Sequence, residues 1–284
     1  MLLRTYAGSG LMIVDLHTHT NASDGSLTAT ELLLQASAAG VELLSIADHG
    51  TLAAYATLPA RNPGAPRLVG GIEFSTEWRG CGIHVLGLNI ALASDAMRTA
   101  TTFQHHARTQ RAEKIAERLE RIGVEGALDG ARAHAHGGLL GRPHFARHLV
   151  ASGFVKDFGQ AFRKFLGAGK IGDVKQHWAP LERIIGWIRD SGGIAVLAHP
   201  GRYGLTHTRR NALIADFAAS GGEGLEIISG KQQPSLTATL ATTAAKLDLL
   251  ASCGSDFHHP GQAWARLGMP IALPGGCRPV WDDW

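Results

Sequence analysis

A small, distorted α/β barrel of largely parallel, buried strands is the fold this chain predicts, on three observations. Short apolar, β-branched runs recur along the sequence, helical segments separate many of them, and histidines or carboxylates stand where the runs end. The runs are MIVDL (12–16), LLSIA (43–47), RLVGGI (67–72), IHVLGL (83–88), GIAVLA (193–198), GLEIIS (224–229) and LLASC (249–253).

The first run leads into DLHTHTNASDG, where His17 and His19 occupy alternate positions. Alternate side chains of a strand share a face, so the pair can hold one metal ion, with Asp24 close behind. TATE (28–31) has capping-box spacing, LLLQASAA supplies a helix, and Gly40 stands where a helix-ending glycine belongs. The second run ends at Asp48 and His49, and the third at Glu73. Glu73 and His84 flank STEWRGCGI, which reads as an antiparallel hairpin. Pairing around Trp78 and Arg79 sets Glu73 opposite His84, or two residues from it, close enough to share a metal.

From 99 to 178 the strand rhythm stops. TFQHHARTQRAEKIAERLERIG begins a long amphipathic helix, with Ile115, Leu119 and Ile122 as its packing stripe. This stretch is read as a helical insertion domain, placed to cover the barrel mouth, between barrel segments 12–98 and 179–284. Residues 1–11 are read as a leader. The alternation then returns: helical PLERIIGWIRDSGG, TRRNALIADFAASGG and PSLTATLATTAAKL separate the last strands, His199 follows IAVLA, and Asp256 and His258 follow LLASCGS.

Composition narrows the function. The 284 residues are 45% apolar with a formal charge of +3 and no block of consecutive Lys/Arg, which favours a small anionic substrate over a duplex. Three widely separated cysteines, Cys81, Cys253 and Cys277, favour a reducing compartment, so the protein is read as cytoplasmic. No apolar stretch approaches the roughly 18 residues that span a bilayer.

Active sites of parallel α/β barrels lie at the C-terminal strand ends. His17, His19, Asp48, His49, Glu73, His199, Asp256 and His258 all fall there. One histidine on an apolar face is ordinarily hydrogen-bonded core. So many ionisable groups together are costly to bury without metal or pairing. Imidazoles and carboxylates without a thiolate set favour manganese, iron or zinc, and their number exceeds one tetrahedral site. Such ions lower the pKa of water by several units and so supply a nucleophile without a side-chain base.

HTH, ADHG, IEFS, the hairpin histidine, AHPG and GSDFH, in order across residues 15–259, closely resemble the PHP (polymerase and histidinol phosphatase) phosphoesterases. The resemblance implies a distorted (β/α)7 TIM-like barrel and three divalent metal ions, manganese first, with iron or zinc as alternatives. It assigns His17, His19, Glu73 and Asp256 to one ion, around which catalysis centres. Glu73, His84 and His199 go to a second ion, and Asp24, His49 and His258 to a third. Asp48 then orients ligands from behind, as its residue type alone also favours.

GRPHFA (141–146) and the place of the insertion are similar to the small-nucleotide phosphatases of that family. They imply removal of the 3′-phosphate from nucleoside 3′,5′-bisphosphates. The alternatives are a 5′ to 3′ exoribonuclease on short single-stranded RNA, a histidinol-phosphate phosphatase, or a non-catalytic nucleotide-binding domain. Arg142 and His144 are the first candidates to hold substrate phosphate, since a planar guanidinium grips two oxygens at once. Arg202, directly after AHPG, and Lys170, in a glycine-flanked stretch, follow. His105, His106, His134, His136, His148, His177, His207 and His259 read as ordinary loop or surface residues, and Trp78 and Phe103 as core.

Overall fold

A computed structural model describes residues 12–58, 64–175, 177–269 and 272–284. The leader, 1–11, lies outside the described residues. Seven strands form one sheet in sequence order: β1 (Val14–Thr18), β2 (Leu43–Ile46), β3 (Arg67–Trp78), β4 (Cys81–Leu88), β5 (Ile194–Leu197), β6 (Gly224–Ser229) and β7 (Leu250–Gly254). β1–β2–β3 and β5–β6–β7 pair in parallel, and β4 runs antiparallel to both neighbours. The chain beyond β7 returns to β1, where His19 N donates to Phe257 O (2.9 Å) and Asp256 N to His17 O (2.8 Å). The result is the nearly closed, distorted TIM-like barrel the strand count predicts.

The reversal of β4 explains why one site residue breaks the strand-end rule. Six strands point their C-terminal ends at the same rim; β4 presents its beginning there, and His84 sits near that beginning. The hairpin register differs from direct pairing of Glu73 with His84. The turn is Arg79–Gly80, both with positive φ (46° and 78°), as a two-residue hairpin turn requires. Trp78 therefore pairs Cys81, Ser75 faces His84, and Glu73 faces Leu86. Glu73 and His84 become diagonal neighbours on one face.

Outer helices α1 (Ala29–Ala38), α7 (Leu181–Asp190), α8 (His207–Ala219) and α9 (Pro234–Lys246) cover the sheet. Thr28 and Glu31 form the full capping box on α1, and Gly40 takes φ 78° just past its end. α7 buries Ile184, Ile185 and Ile188, the i, i+1, i+4 face that meets β3–β5. The short α2 (Ala53–Ala56) follows β2.

Between β4 and α7 stand α3 (Asp95–Glu120), α4 (Ala127–Ala135), α5 (Arg142–Ala151), α6 (Phe158–Ala161) and a π-helical turn, Phe162–Leu166. The first half of α3 packs Met97 and Ala100 into the barrel core. Its second half joins a separate core of Ile115, Leu119, Phe145, Leu149 and Leu166. Ile122 does not share in that packing: α3 ends at Glu120, and Ile122 lies 39% exposed in the turn beyond. No described helix is long and apolar enough to cross a membrane.

Candidate metal centre

The rim gathers residues from six strand ends around the buried carboxylate of Glu73. Its Oε1 lies 3.4 Å from His17 Nε2, 2.8 Å from His84 Nδ1 and 3.1 Å from His199 Nε2. Its Oε2 lies 3.4 Å from His19 Nε2 and 2.8 Å from His49 Nδ1. A second carboxylate, Asp256, places Oδ1 3.5 Å from His17 Nε2 and 3.3 Å from His19 Nε2. A third, Asp24, lies 3.6 Å from His49 Nε2 and 3.3 Å from His258 Nε2. Every sequence-predicted ligand is in this cluster, and His49 stands between the Asp24 and Glu73 groups rather than with Asp24 alone.

The separations of 3.3–3.5 Å that His17 Nε2 and His19 Nε2 keep from Glu73 and Asp256 fit a shared divalent ion. Two ligand atoms each about 2.1 Å from a shared tetrahedral ion stand about 3.4 Å apart, longer than most hydrogen bonds. His17 Nε2, both ring nitrogens of His19, His49 Nδ1 and Glu73 Oε2 are buried without a hydrogen-bond partner, a costly condition that coordination relieves. Among the described residues, three groups offer ligand atoms within 4.8 Å of one another: His19, Asp24, His49 and His258; His17, His19 and Glu73; His49, Glu73 and His84.

Electrostatics point the same way. Burial alone would raise the carboxyls, yet the surrounding imidazoles hold Asp24, Glu73 and Asp256 well below the usual carboxylate range. Burial pushes His49 down to about 3 and lowers His84, toward the neutral imidazole that binds metal. Burial would also lower His17 and His258. Facing carboxylates outweigh it, holding His17 well above its ordinary value and His258 up at about 10. The carboxylates demand cations, which protons or metal ions can supply.

The chain fixes these side chains from behind. His17 Nδ1 lies 3.0 Å from Glu226 Oε1, whose other oxygen accepts from His199 N (2.6 Å). Asp48 accepts from Thr20 N, Thr20 Oγ1 and Ser23 Oγ, so it shapes the His19–Asp24 loop. Asp15, pushed up to about 6 by burial, accepts from Ser255 N (2.8 Å). Gly254 lies so close to β1 that an added Cβ would stand 2.3 Å from His17 Cβ. His199 (φ 27°) and Asp256 (φ 55°) hold left-handed backbone, strain that aims both inward.

The centre opens into a cavity of about 660 Å³ between the rim and the helical segment. Arg108 and Arg111 of α3 are buried, and with the half-buried Arg142 they line one wall. Arg108 Nη2 donates to Ser75 Oγ (3.2 Å), beside the centre. Arg111 Nε donates to Val174 O (2.5 Å), and Arg142 Nη1 to Leu166 O (3.1 Å), farther out. Both α3 guanidinium carbons lie 5.3 Å from the Trp178 ring centroid. Burial and mutual repulsion lower Arg111 well below its ordinary value, and burial lowers Arg108 to about 10. Such a cluster is short of anions.

Of the four residues chosen from sequence for substrate, Arg142 and Arg202 line this cavity. Lys170 is exposed outside its lining, and buried His144 uses Nδ1 to accept from Gly141 N (2.9 Å), capping α5. Arg202 pairs with Asp256. Sequence reasoning missed Glu226, Arg108, Arg111 and Trp178. The lone charge inside GLEIIS was the available signal for the first.

No family model matches the chain. It is 43% identical, over 95% of itself and 95% of the relative, to a 3′,5′-nucleoside bisphosphate phosphatase of Chromobacterium violaceum. It is also 43% identical to the 5′-3′ exoribonuclease Rnm of Escherichia coli, over 96% of itself and 94% of the relative. A solved structure from C. violaceum, described as an amidohydrolase with bound sulfate and no metal, superposes with a TM-score of 0.85 at 40% identity, covering 94% of each chain. The barrel and its cluster of histidines and carboxylates thus define a metal-dependent phosphoesterase, a hydrolase. The chain belongs to the PHP family.

Proposed function

We propose that this protein removes the 3′-phosphate from nucleoside 3′,5′-bisphosphates, such as adenosine 3′,5′-bisphosphate, giving a 5′-nucleotide and phosphate. One observation carries the reading: the ligand cluster and a buried arginine wall share a single cavity. A substrate with two phosphates one ribose apart satisfies both. The 3′-phosphate lies at the centre beside Arg108, and the 5′-phosphate reaches Arg111 and Arg142, whose planar forks suit phosphate oxygens. His144 supports this wall by fixing the start of α5.

In this reading three divalent ions, manganese first, are held by His17, His19, Glu73 and Asp256, by Glu73, His84 and His199, and by Asp24, His49 and His258. When bound, such ions lower the pKa of water and neutralise charge on phosphoryl oxygens. The chain's own residues hold the phosphate in line. Water oxygen bonds to phosphorus, the P–O3′ bond breaks, and O3′ takes a proton. Glu226 keeps His17 in the tautomer with Nε2 free, and Arg202 restrains Asp256. The barrel segments 12–98 and 179–284 supply the centre, and the insertion 99–178 supplies the arginines. The three free cysteines suit a reducing, cytoplasmic setting.

The test compares adenosine 3′,5′-bisphosphate with adenosine 3′-phosphate on manganese-loaded protein. The reading expects kcat/KM at least 100-fold higher for the bisphosphate. Equal values would overturn it.

A further inference from the structure

β2 ends before β3 does, and a helix rather than a strand takes up the polar groups that follow on β3. Parallel pairing of the two strands runs to Ile46 and Gly70, and an isolated bridge joins His49 to Glu73. Two residues further on, Gln104 Nε2 of α3 donates to Ser75 O (3.2 Å), and Arg108 Nη2, one helical turn along, donates to Ser75 Oγ (3.2 Å). Gly50 (φ 69°) lets the same turn close in on the metal centre: an added Cβ would stand 3.0 Å from Gln104 Cβ and 3.3 Å from Arg108 Nε. Gly50 N in turn donates to Glu73 O (2.8 Å). Gln104 is fully buried, yet its Oε1 and the buried Nε of Arg108 have no hydrogen-bond partner among the described residues. A half-satisfied buried amide costs the fold stability that an apolar side chain of the same size would not. Among the described residues no carboxylate pairs with Arg108; Ser75 Oγ and the Trp178 ring, 5.3 Å from the guanidinium carbon, hold its tip.

We propose that Gln104 is a positioning residue for the reaction: by clamping α3 to β3 two residues past Glu73, it fixes Arg108 at the scissile phosphate. The inference rests on the placement of that phosphate beside Arg108 in the proposed function. Two tasks then divide along α3. Arg111, with Arg142, takes the remote phosphate. Gln104 and Arg108 set the helix against the ligand cluster, so that the guanidinium meets the negative charge of the phosphoryl group as the P–O3′ bond breaks. A displacement of about 1 Å at such a group costs about 100-fold in rate.

Gln104→Met keeps the buried volume and removes the amide. On manganese-loaded protein it is expected to lower kcat for adenosine 3′,5′-bisphosphate about 10–100-fold. KM stays within about threefold, because Arg111 and Arg142 still hold the 5′-phosphate. In an Arg108→Met background the same substitution costs less than about twofold, since a residue that acts through another adds nothing once that other is gone. Manganese affinity within about twofold of the parent's shows that the variant is folded and its ligand cluster intact. An equal loss in both backgrounds, a fall in manganese affinity that matches the fall in kcat, or an unchanged kcat overturns the positioning role. Calorimetric titration of the same manganese-loaded proteins with inorganic phosphate reads Arg108 without reference to the ester: Gln104→Met weakens binding about fivefold or more only while Arg108 is present. Should the unsubstituted protein leave the bisphosphate uncleaved, the proposed function fails, and the phosphate titration by itself upholds or overturns the role of Gln104.

Discussion

His17 Nδ1 stands 3.0 Å from Glu226 Oε1, an entirely buried contact between β1 and β6 that joins residues 209 apart in sequence. In the metal-bound form the carboxylate would accept a hydrogen bond from Nδ1–H and leave the Nε2 lone pair facing Glu73 and Asp256. Carboxylates behind metal-bound histidines raise ligand basicity and lock orientation, and their loss costs about 10–100-fold in metal affinity. Glu226→Gln is expected to fold and to weaken manganese binding by that factor. Calorimetric titration of the metal-free variant checks it; unchanged affinity would remove Glu226 from the account.

Arg111 is buried against Arg108 and Arg142 without a carboxylate in direct contact among the described residues, Asp173 reaching Arg142 alone of the three, at 3.9 Å, an arrangement that serves a ligand at the expense of the fold. Replacing buried charge with apolar volume commonly stabilises by about 1–4 kcal/mol. Arg111→Met should raise the melting temperature without ligand by about 2–8 °C and raise KM for the bisphosphate at least tenfold. A variant that melts lower and retains KM would contradict the phosphate role.

His144 offers a pH test away from the ligand cluster. Burial holds its imidazole at about 4, against an ordinary value of 6.5. Between these values the unfolded chain binds a proton that the folded chain refuses. Its contribution to stability is complete above about pH 6.5 and falls by about 2–3 kcal/mol as pH drops toward 4. His144→Asn keeps an acceptor for Gly141 N and removes the titration. The melting-temperature difference between parent and variant should narrow or reverse on acidification; a constant difference from pH 7.5 to 4.5 contradicts the assignment.

The limits of the sequence reading follow from how each residue signals itself. His17 and His19 were legible because a strand's two-residue period puts both on one face, and His49, Glu73, His199, Asp256 and His258 end or follow apolar runs; His84, near the start of the reversed strand, was legible only through the hairpin. The run of helices between β4 and α7 was legible as a loss of strand rhythm. Arg108 and Arg111 were not, because charges spaced three apart on a helix rich in Arg, Lys and Glu look like a solvated face; only the fold shows that face turned toward the cavity. The hairpin register was ambiguous because RGCG admits more than one turn centre, and a shift of two residues preserves the face. Trp178 lies within the insertion without periodicity to distinguish it from core.

In the proposed reaction the bond that breaks is P–O3′. Metal-loaded protein, adenosine 3′,5′-bisphosphate and ¹⁸O-labelled water, followed by phosphorus NMR and mass spectrometry, decide it in one measurement. The proposed function predicts adenosine 5′-phosphate without label and inorganic phosphate carrying one ¹⁸O, with no turnover after chelation. Adenosine 3′-phosphate as product, or label retained in the nucleoside, would contradict the placement of the 3′-phosphate at the His17–Asp256 centre.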